Sequence, residues 1–359
     1  MSTLVAAPDK FRGTATARQV AQAVASAAGR CGWSALERPL SDGGEGFLDV
    51  LDRPGGHRET LLVEGPLGAP VEAEWLRMDD VAVIEMARAS GLALVGGAEG
   101  NDALRADTRG TGQLIMAAAR WLRSGARSTG AGGIRTVRRA ADDGKGGTIL
   151  VGLGGSATSD GARGAVAVIE EAGGLAGIEL VGACDVDVRF FDAAARFGPQ
   201  KGASKAQVAE IEARLHRVAD EFESAFGVDV RSVPGSGAAG GLGGAIVALG
   251  GRLRSGFDLV AERTGFHDVL RSGQLVVTGE GSFDATSMAG KVVGSVLAEA
   301  SELGIRTLVV AGRATSEACR AAERMGADVA SLCEVFGEAR ALSETLWCVE
   351  EAVSTHLVH

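Results

Sequence analysis

The chain has 359 residues, of which 46% are hydrophobic and 23% charged, and its formal net charge is −10. A chain of this length can bury a large core and corresponds to about two domains. The acidic balance disfavours a nucleic-acid or anionic-membrane partner, since both need clustered positive charge, and 54 glycines with only 7 prolines indicate many tight turns and exclude collagen or a disordered chain.

The amino-terminal residues lack the basic stretch and apolar run that mark a signal peptide. No window approaches the roughly 18 uncharged apolar residues that span a membrane. We therefore expect a cytoplasmic protein with no membrane partner. The five cysteines are never spaced as Cys-x-x-Cys, which favours reduced thiols.

Short apolar runs alternate with Ala-rich helical patterns near both ends of the chain, which is typical of a parallel sheet covered by helices. The amino-terminal part predicts strand Thr3–Ala7, helix Ala17–Gly29, strand Ser34–Pro39 and helix Phe47–Leu51. From Arg58 to Met86 the pattern changes to strands separated by turns, with no helix between them. This stretch predicts an antiparallel interruption.

Helices and strands alternate again from Thr108 onwards. The predicted elements are strand Thr148–Val151, helix Ala162–Ala172, strand Ile178–Val181, strand Leu275–Thr278, helix Met288–Leu303, strand Thr307–Val310, helix Ser316–Met325, strand Asp328–Leu332 and helix Leu342–His356. Because the first two and last three strands look alike, we predict a doubly wound, Rossmann-like α/β domain made of residues 1–57 and 235–359. Residues 58–234 would form an inserted second α/β domain that contains the antiparallel strands.

A glycine-rich, highly charged segment, residues 127–147, carries Arg135, Arg138, Arg139 and Lys145. Its composition fits a solvated loop, and it also fits a basic lid over an anionic ligand. The sequence leaves both interpretations open.

Two glycine-rich loops are candidate anion sites. GLGGSATSDG (152–161) follows a predicted strand and precedes a predicted helix, so its glycines let the backbone approach a ligand and its hydroxyls can donate to an anion. GSGAAGGLGG (235–244) follows the same logic, with a plain tight turn as the alternative in both cases. The candidate residues are Gly154, Gly155, Ser156, Thr158, Gly237, Gly240 and Gly241.

Both loops also contain GxGxx(G/A) spacing, which motivates an NAD(P)-dependent oxidoreductase as an alternative function. In a dinucleotide fold an acidic residue ends the next strand about 20 residues later. Here the corresponding acids, Glu170 and Glu171, fall inside a predicted helix. The sequence contains no Walker-type, GxSxG, HExxH or EF-hand motif.

Acidic and basic side chains follow several predicted strands. In chain order they are Asp9, Lys10, Arg12, Asp42, Glu45, Asp185, Glu280 and Asp284, and Lys201 adds a cation from the middle of the chain. Strand ends in an open α/β sheet share one crevice, so these side chains can converge despite their separation along the chain. Convergent acids and bases suit Mg²⁺ and phosphoryl groups, although each Asp taken alone also fits a turn or cap.

Taken together and in order, the motifs resemble the bacterial glycerate kinase family. The resembling stretches are APDKFRG (6–13), PLSDGGEG (39–46), IEMARASGLALV (84–95), TRGTGQLI (108–115), GLGGSATSDG (152–161), CDVD (184–187), FGPQKGA (197–203), GAAGGLG (237–243), TGEGSFD (278–284) and GK (290–291). The resemblance implies a two-domain α/β kinase with its cleft between the domains. Such an enzyme transfers the γ-phosphoryl group of Mg-ATP to D-glycerate and usually forms 2-phosphoglycerate.

On this resemblance we assign hypothetical roles to the candidate residues. Asp185 or Asp42 would act as the base, with Lys201 and Lys291 on phosphates and Asp160 and Asp284 on the metal side. Asp9, Lys10, Arg12 and Glu45 would bind the substrate, with Arg12 clamping the glycerate carboxylate. Glu280 and the residues of the two glycine loops would bind the nucleotide.

The chain departs from the family pattern in several loops. After the CDVD stretch the family usually carries Asn-Pro-Leu-Leu-Gly, whereas this chain has VRFFDAAAR (188–196). Lys10, Arg12, Ser159 and Thr286 stand where the family commonly has Ser, Lys, Asn and Gln. These changes leave open a related hydroxy acid or polyol as the substrate, and a nucleotide-binding homologue without catalysis. The sequence also leaves a homo-oligomer open.

Overall fold

The fold is described from a computed structural model that covers residues 2–125, 146–288 and 290–358. Residues 127–147, interpreted as a loop or a lid, lie outside the described residues except for the last two positions. Among the helices described, none combines the length and apolar character needed to cross a lipid bilayer.

Eleven strands occur in the described ranges. They are β1 (Thr3–Ala6), β2 (Ser34–Glu37), β3 (His57–Glu64), β4 (Pro70–Met78), β5 (Val81–Glu85), β6 (Thr148–Gly152), β7 (Glu179–Ala183), β8 (Arg252–Arg254), β9 (Leu275–Phe283), β10 (Arg306–Ala314) and β11 (Ala327–Ser331).

Fifteen α-helices lie between and after these strands in the same ranges. They are α1 (Ala17–Arg30), α2 (Phe47–Leu51), α3 (Ala87–Ser90), α4 (Arg109–Arg123), α5 (Arg163–Glu171), α6 (Asp192–Phe197), α7 (Lys205–Phe226), α8 (Leu242–Ala248), α9 (Gly256–Thr264), α10 (Phe266–Ser272), α11 (Val292–Glu302), α12 (Ser316–Arg324), α13 (Leu332–Phe336), α14 (Glu338–Ser343) and α15 (Thr345–Val358). Short 3₁₀ helices occur at Leu92–Val95, Pro199–Lys201 and Ala238–Gly241.

The chain divides into two compact units. Unit 1 comprises Met1–Asp42, Asp49–Leu51 and Phe257–His359, and unit 2 comprises Gly43–Leu48 and Asp52–Gly256. Residues 235–256, which the sequence analysis placed in the first domain, therefore lie in unit 2. The reason is that β8 pairs with β7 and α8 packs against both of these strands.

Unit 1 is built on a five-stranded sheet in the order β11-β10-β9-β1-β2, with every pair parallel. Successive side chains of a strand point to opposite faces, so Leu308 and Val310 pack with α1 and α15, whereas Val309 and Ala311 pack with α11 and α12. Helices therefore cover both faces of the sheet. This confirms the predicted doubly wound, parallel-sheet fold.

Unit 2 is built on a mixed six-stranded sheet in the order β3-β4-β5-β6-β7-β8. The pairs β3–β4 and β4–β5 are antiparallel, and the remaining pairs are parallel. The predicted antiparallel interruption is therefore the edge of this second sheet. A hydrophobic core joins one face of the sheet to α4, α5, α7 and α8.

Some elements differ from the sequence prediction. The predicted helix Leu342–His356 breaks at Glu344 into α14 and α15. The 22-residue α7 was not predicted, although Ile211, Leu215 and Phe222 give it a buried stripe at helical spacing.

Candidate functional site

In unit 1, four carboxylates lie at the ends of adjacent parallel strands; we call Asp9, Asp42, Glu280 and Asp284 the acidic cluster. Strand β1 lies between β9 and β2, so the residues that follow it stand between the ends of its two neighbours. The Asp9 amide donates to the Gly279 carbonyl at 2.9 Å, which continues the β1–β9 pairing up to Glu280. The predicted convergence of these strand ends is therefore present within unit 1.

Glycines allow the backbone segments around this cluster to approach closely. A Cβ atom on Gly279 would lie 1.9 Å from the carbonyl oxygen of Val310, and one on Gly281 would lie 3.2 Å from the Arg12 amide nitrogen. The first distance is impossible for a real side chain, so β9 and β10 can have this spacing only with glycine at position 279.

Asp9 is buried at the centre of the acidic cluster, with 8% of its surface exposed. Its Oδ1 accepts a hydrogen bond from the Lys10 amide at 2.7 Å, and Lys10 Nζ lies 3.5 Å from Asp9 Oδ1 and 3.9 Å from Asp42 Oδ1. Burial raises the pKa of Asp9 to about 6, with a further rise from Asp42, while Lys10 lowers it. Lys10 therefore bridges two of the predicted site carboxylates.

Glu280 has a buried Oε1 atom with no hydrogen-bond partner among the described residues. Burial raises the pKa of its carboxyl to about 7; a Ser287 hydrogen bond and Lys291 lower it, and Asp9 and Asp284 raise it further. Repulsion among neighbouring carboxylates is relieved by a proton or by a cation. The cluster is therefore set up to accept one or the other.

The donor set of the acidic cluster fits Mg²⁺. In the described ranges no group of three or more His, Cys, Asp or Glu side chains forms a ready-made metal site. Mg²⁺ is commonly held by one or two carboxylates together with substrate phosphates and water, and not by an all-protein cage. The unpartnered Oε1 of Glu280 and the carboxylate of Asp9 are oxygen ligands of the kind this ion prefers.

Asp284 and Lys291 are linked through Thr286. Asp284 Oδ1 accepts hydrogen bonds from the Thr286 amide at 2.8 Å and from Thr286 Oγ1 at 2.6 Å, and these bonds lower the pKa of Asp284. Lys291 Nζ donates to Thr286 Oγ1 at 3.1 Å. Thr286, noted above only as a departure from the family pattern, therefore holds two predicted site residues together.

In unit 2, the two glycine loops predicted as separate anion sites lie against each other. The Gly161 amide donates to the Gly240 carbonyl at 3.0 Å, and a Cβ on Gly240 would lie 2.0 Å from the Thr158 carbonyl oxygen. Gly240 also has a φ of +66°, a conformation that L side chains rarely adopt. Close contact between the loops therefore requires glycine at position 240.

The hydroxyls of the first loop face each other. Ser156 Oγ lies 2.9 Å from Thr158 Oγ1 and accepts a hydrogen bond from the Thr158 amide at 3.0 Å. Both side chains are buried. Gly154 cannot carry a side chain, because a Cβ there would lie 2.3 Å from Gly44 Cα, whereas Gly155 is exposed with a φ of +74°.

Lys201 brings a buried ammonium group to these loops. Its Nζ donates to the Thr158 carbonyl at 2.6 Å, and its residue surface is 4% exposed. Among the described residues, Thr158 is the one hydrogen-bond acceptor of this three-donor group. Burial lowers the pKa of Lys201 to about 8, and the charge of Asp160 opposes this shift. A buried ammonium is costly unless it is paired, so the group is set up to receive an anion.

Asp160 holds the first loop in place. Its Oδ2 accepts hydrogen bonds from the Thr108 amide at 3.1 Å, the Thr108 hydroxyl at 2.8 Å and the Gly164 amide at 3.1 Å, and its Oδ1 accepts one from the Ala162 amide at 3.1 Å. Burial raises the pKa of this carboxyl, and the bond from Thr108 is the largest opposing effect. These contacts give Asp160 a structural role, and the metal role assigned to it stays a prediction.

Asp185 follows β7, as the sequence indicated. Its Oδ1 accepts a hydrogen bond from the Gly256 amide at 2.8 Å, and the residue is partly exposed. Gly237 packs on the segment that departs from the family: its amide donates to the Val188 carbonyl at 2.9 Å. Glu45 and Arg12 are exposed, in unit 2 and unit 1 respectively.

The structure adds two residues that the sequence reasoning did not single out. The buried carboxylate of Glu85 accepts hydrogen bonds from the Gly46 and Leu48 amides at 3.1 and 3.4 Å, so it fixes the loop that carries Glu45. Asn101 bridges the first glycine loop and the turn that carries Lys201. Glu85 lies in a stretch quoted for the family resemblance, which could have pointed to it, whereas Asn101 lies in none of these stretches.

The geometry argues against the dinucleotide alternative. A dinucleotide loop leads directly from a strand into a helix. After β6, however, the helix begins only at Arg163, well beyond Ala157, and the second loop has no strand immediately before it. The first loop therefore joins its strand to its helix through a long segment and not through a tight turn, and the second loop lacks the preceding strand that this function requires.

Comparison with known proteins identifies the family. The model of the glycerate kinase family matches residues 4–172 and 165–356. The chain belongs to the glycerate kinase family. This confirms the predicted family and the predicted kinase class.

The relatives support the same assignment. The chain is 36% identical to a glycerate kinase of Halalkalibacterium halodurans, with 87% of this chain and 86% of the relative covered. It is 35% identical to a glycerate 2-kinase of Escherichia coli over 88% of this chain and 86% of the relative. A crystal structure described as glycerate kinase 2, from Salmonella typhimurium, superposes with a TM-score of 0.76 at 27% identity and covers 99% of this chain and 97% of that one. The family therefore extends over both units.

Proposed function

We propose that this protein is an ATP-dependent kinase that phosphorylates D-glycerate with the help of Mg²⁺ and forms 2-phosphoglycerate. The observation that carries the proposal is the buried Lys201 ammonium beside two glycine loops that contact each other, in a chain that belongs to the glycerate kinase family. Relatives named glycerate kinase and glycerate 2-kinase support the substrate and the position of phosphorylation.

The proposed reaction is a phosphoryl transfer to a hydroxyl group. The 2-hydroxyl oxygen of D-glycerate bonds to the γ-phosphorus of ATP, the bond from that phosphorus to the β–γ bridging oxygen breaks, and ADP leaves. The hydroxyl proton passes to a carboxylate, for which Asp185 or Asp42 is our candidate. Such a reaction needs mainly positioning and charge neutralisation from the protein.

Unit 2 supplies the proposed phosphate donors. Lys201 has N–H donors beyond the one that Thr158 takes, and the hydroxyls of Ser156 and Thr158 lie in the same loop. The glycine at position 240 keeps backbone close to this loop. We assign the phosphates of ATP to these groups; the phosphate role that the family resemblance implies for Lys291, in unit 1, stays a prediction.

Unit 1 supplies the proposed metal ligands. Mg²⁺, when bound, would neutralise phosphate charge during transfer. Glu280 and Asp9 would hold it, with Asp284 beside them, and its arrival would lower the raised pKa values of Glu280 and Asp9. This assigns Glu280 to the metal and not directly to the nucleotide.

The proposed glycerate site uses the cations near the acidic cluster. Arg12 can bind a carboxylate in a bidentate manner, and Lys10 already lies between Asp9 and Asp42. Segment 188–196, which departs from the family pattern, packs on Gly237 in unit 2, and we assign to it any difference in acceptor preference from the relatives. A cytoplasmic location and a homo-oligomeric state stay predictions.

The test is an ADP-release assay with Mg-ATP and a panel of D-glycerate, L-glycerate, other small hydroxy acids and polyols. Turnover selective for D-glycerate, lost with excess EDTA, is the expected result, and ³¹P NMR of the product identifies the phosphorylated oxygen. Activity on another acceptor alone would reject the substrate assignment. ATP binding without turnover across the panel would favour a non-catalytic homologue, and a glycerate-dependent change in NAD(P)H absorbance would favour an oxidoreductase.

The base is tested by Asp185→Asn and Asp42→Asn. Loss of the proton acceptor should lower kcat by about 100-fold or more, with little change in the KM for ATP. Asp187→Asn, an exposed neighbour, is the control. Near-normal turnover in either variant removes that residue from the role.

A further inference from the structure

Asn101 is the only asparagine in the 359-residue chain. It lies in unit 2, and its Nδ2 atom donates two hydrogen bonds, to the Ala157 carbonyl at 3.0 Å and to the Lys201 carbonyl at 2.8 Å. One side-chain amide therefore ties the first glycine loop to the turn that carries Lys201.

The hydrogen bonds fix the orientation of this amide. Both partners are backbone carbonyl oxygens, which only accept. Rotating the amide by 180° would place Oδ1 about 3 Å from two other acceptors and lose both bonds. The Nδ2 atom therefore has to face the loop and the turn.

The oxygen end of the amide, Asn101 Oδ1, is buried and has no hydrogen-bond partner among the described residues. A buried acceptor without a donor costs free energy. Such an atom indicates a place where a donor, from a bound group or from an ordered water, completes the hydrogen bonding of the amide.

A second observation shows that this junction is tightly built. Gly202 follows Lys201 with a φ of +88°, and a Cβ there would lie 2.3 Å from the Ala98 carbonyl oxygen. The Lys201 turn is thus pressed against the segment that leads to Asn101. Asn101 donates to the carbonyl oxygens of both Lys201 and Ala157, so it joins this turn to the glycine loop.

We propose that Asn101 is a positioning residue of the phosphate site: it fixes the Lys201 turn against the Ser156–Thr158 loop so that the ammonium and the loop hydroxyls meet the same anion. The proposal rests on the proposed function, since it concerns the same site. The sequence motifs do not indicate this role, because Asn101 belongs to no glycine loop and to no charged cluster.

The kinetic test uses Asn101→Ala and Asn101→Asp. Alanine removes both bonds, and aspartate keeps the size but places a carboxylate against two carbonyl oxygens. We expect kcat/KM for ATP to fall about 10–100-fold in both, while the thermal unfolding midpoint stays within a few degrees of wild type. In Asn101→Asp the alkaline limb of the kcat/KM profile should also move to higher pH, because the new charge favours the protonated Lys201.

Gln113→Ala is the matched control. Gln113 is another carboxamide of unit 2 that contacts the backbone, since its Oε1 accepts a hydrogen bond from the Glu64 amide at 2.8 Å. A merely structural role for Asn101 would give the same kinetics in the Asn101 and Gln113 variants and an unmoved pH profile. That result would overturn the proposal.

A second measurement does not depend on turnover. Because the chain has one asparagine, labelling with ¹⁵N-asparagine gives a single side-chain amide pair in the NMR spectrum. We expect this pair to shift when pyrophosphate is added to wild type and not to shift in Lys201→Met. If wild type turns over no acceptor but the signal shifts, the proposed function fails and the positioning role stands; an unmoved signal in wild type overturns the positioning role.

Discussion

Replacing Lys201 by methionine removes a buried charge and keeps a side chain of similar length. The folded chain carries this charge at a cost, because burial lowers the pKa of Lys201 from 10.5 to about 8. At about 1.4 kcal/mol per pKa unit, the difference corresponds to about 3 kcal/mol. Loss of the hydrogen bond to the Thr158 carbonyl offsets about 1 kcal/mol of this, so Lys201→Met should be more stable than wild type by about 2 kcal/mol at pH 7.

The gain should depend on pH in a defined direction. Below pH 8 the lysine is protonated in both the folded and the unfolded chain, so the full cost is present. Between pH 8 and 10.5 the folded chain loses the proton first, and the free energy of unfolding of wild type rises with pH relative to the variant. The advantage of Lys201→Met should therefore fall to about zero near pH 9.5.

The assay is urea unfolding followed by circular dichroism, for wild type and Lys201→Met, at pH 7 and near pH 9.5. Lys205→Met, at an exposed position of α7, serves as the control and should change stability by less than about 0.5 kcal/mol. The same Lys201 variant should lose at least about 100-fold in kcat/KM. A variant less stable than wild type at pH 7, or a gap that does not narrow with pH, would refute the reasoning.

Three further variants test Gly240 and Asp160 at the glycine loops and Glu280 in the acidic cluster. Gly240→Ala should destabilise the protein by about 2 kcal/mol or more and abolish ATP binding, because the new Cβ would meet the Thr158 carbonyl oxygen. Gly227→Ala is the control: its φ is similar but the space around it is open, so it should cost only about 1 kcal/mol and leave ATP binding unchanged. Urea unfolding measures the stabilities, and calorimetric titration measures ATP binding. Asp160→Ala should lower the free energy of unfolding by about 3 kcal/mol, since it leaves donors of Thr108, Ala162 and Gly164 unpaired. A variant that is as stable as wild type but whose activity no longer depends on Mg²⁺ would instead support the predicted metal role of Asp160. Glu280→Gln should raise the free energy of unfolding by about 2 kcal/mol at pH 8 and leave it unchanged at pH 4. The reason is that the raised pKa of about 7 makes wild type lose stability as pH rises from about 4.5 through 7. Glu302→Gln, at the exposed end of α11, should show no such pH dependence, and equal stability–pH profiles for the two variants would contradict the assignment.

Local patterns predicted much of the fold. The short helix Phe47–Leu51 was predicted with the bounds that the structure shows, and α1 and α5 within a residue or so at each end. These segments carry their information locally, in helical spacing and in flanking glycines. The boundary near residue 234 was wrong because β8 has only three residues, and its membership in the second sheet depends on pairing with the distant strand β7.

The candidate site was predictable in the same uneven way. Strand-end rules brought Asp9, Asp42 and Glu280 together in advance, because parallel topology alone decides which ends are adjacent. The contact between Gly240 and Thr158 was not predictable, since it joins loops that are far apart in sequence. Asn101 was missed for the same reason. Its side chain donates to two backbone carbonyl oxygens, and a sequence does not show where a carbonyl oxygen points.

The order of assembly during synthesis follows from the way unit 1 is divided along the chain. Strand β1 leaves the ribosome early, but its partner β9 begins only at Leu275. Unit 2 is complete once Gly256 has emerged, so it can fold while β1 has β2 as a neighbour but still lacks β9. Folding of unit 2 shortens the effective loop between β1 and β9 and lowers the entropic cost of closing it. The nascent chain should therefore become protease-resistant first in its middle and only later at its amino terminus.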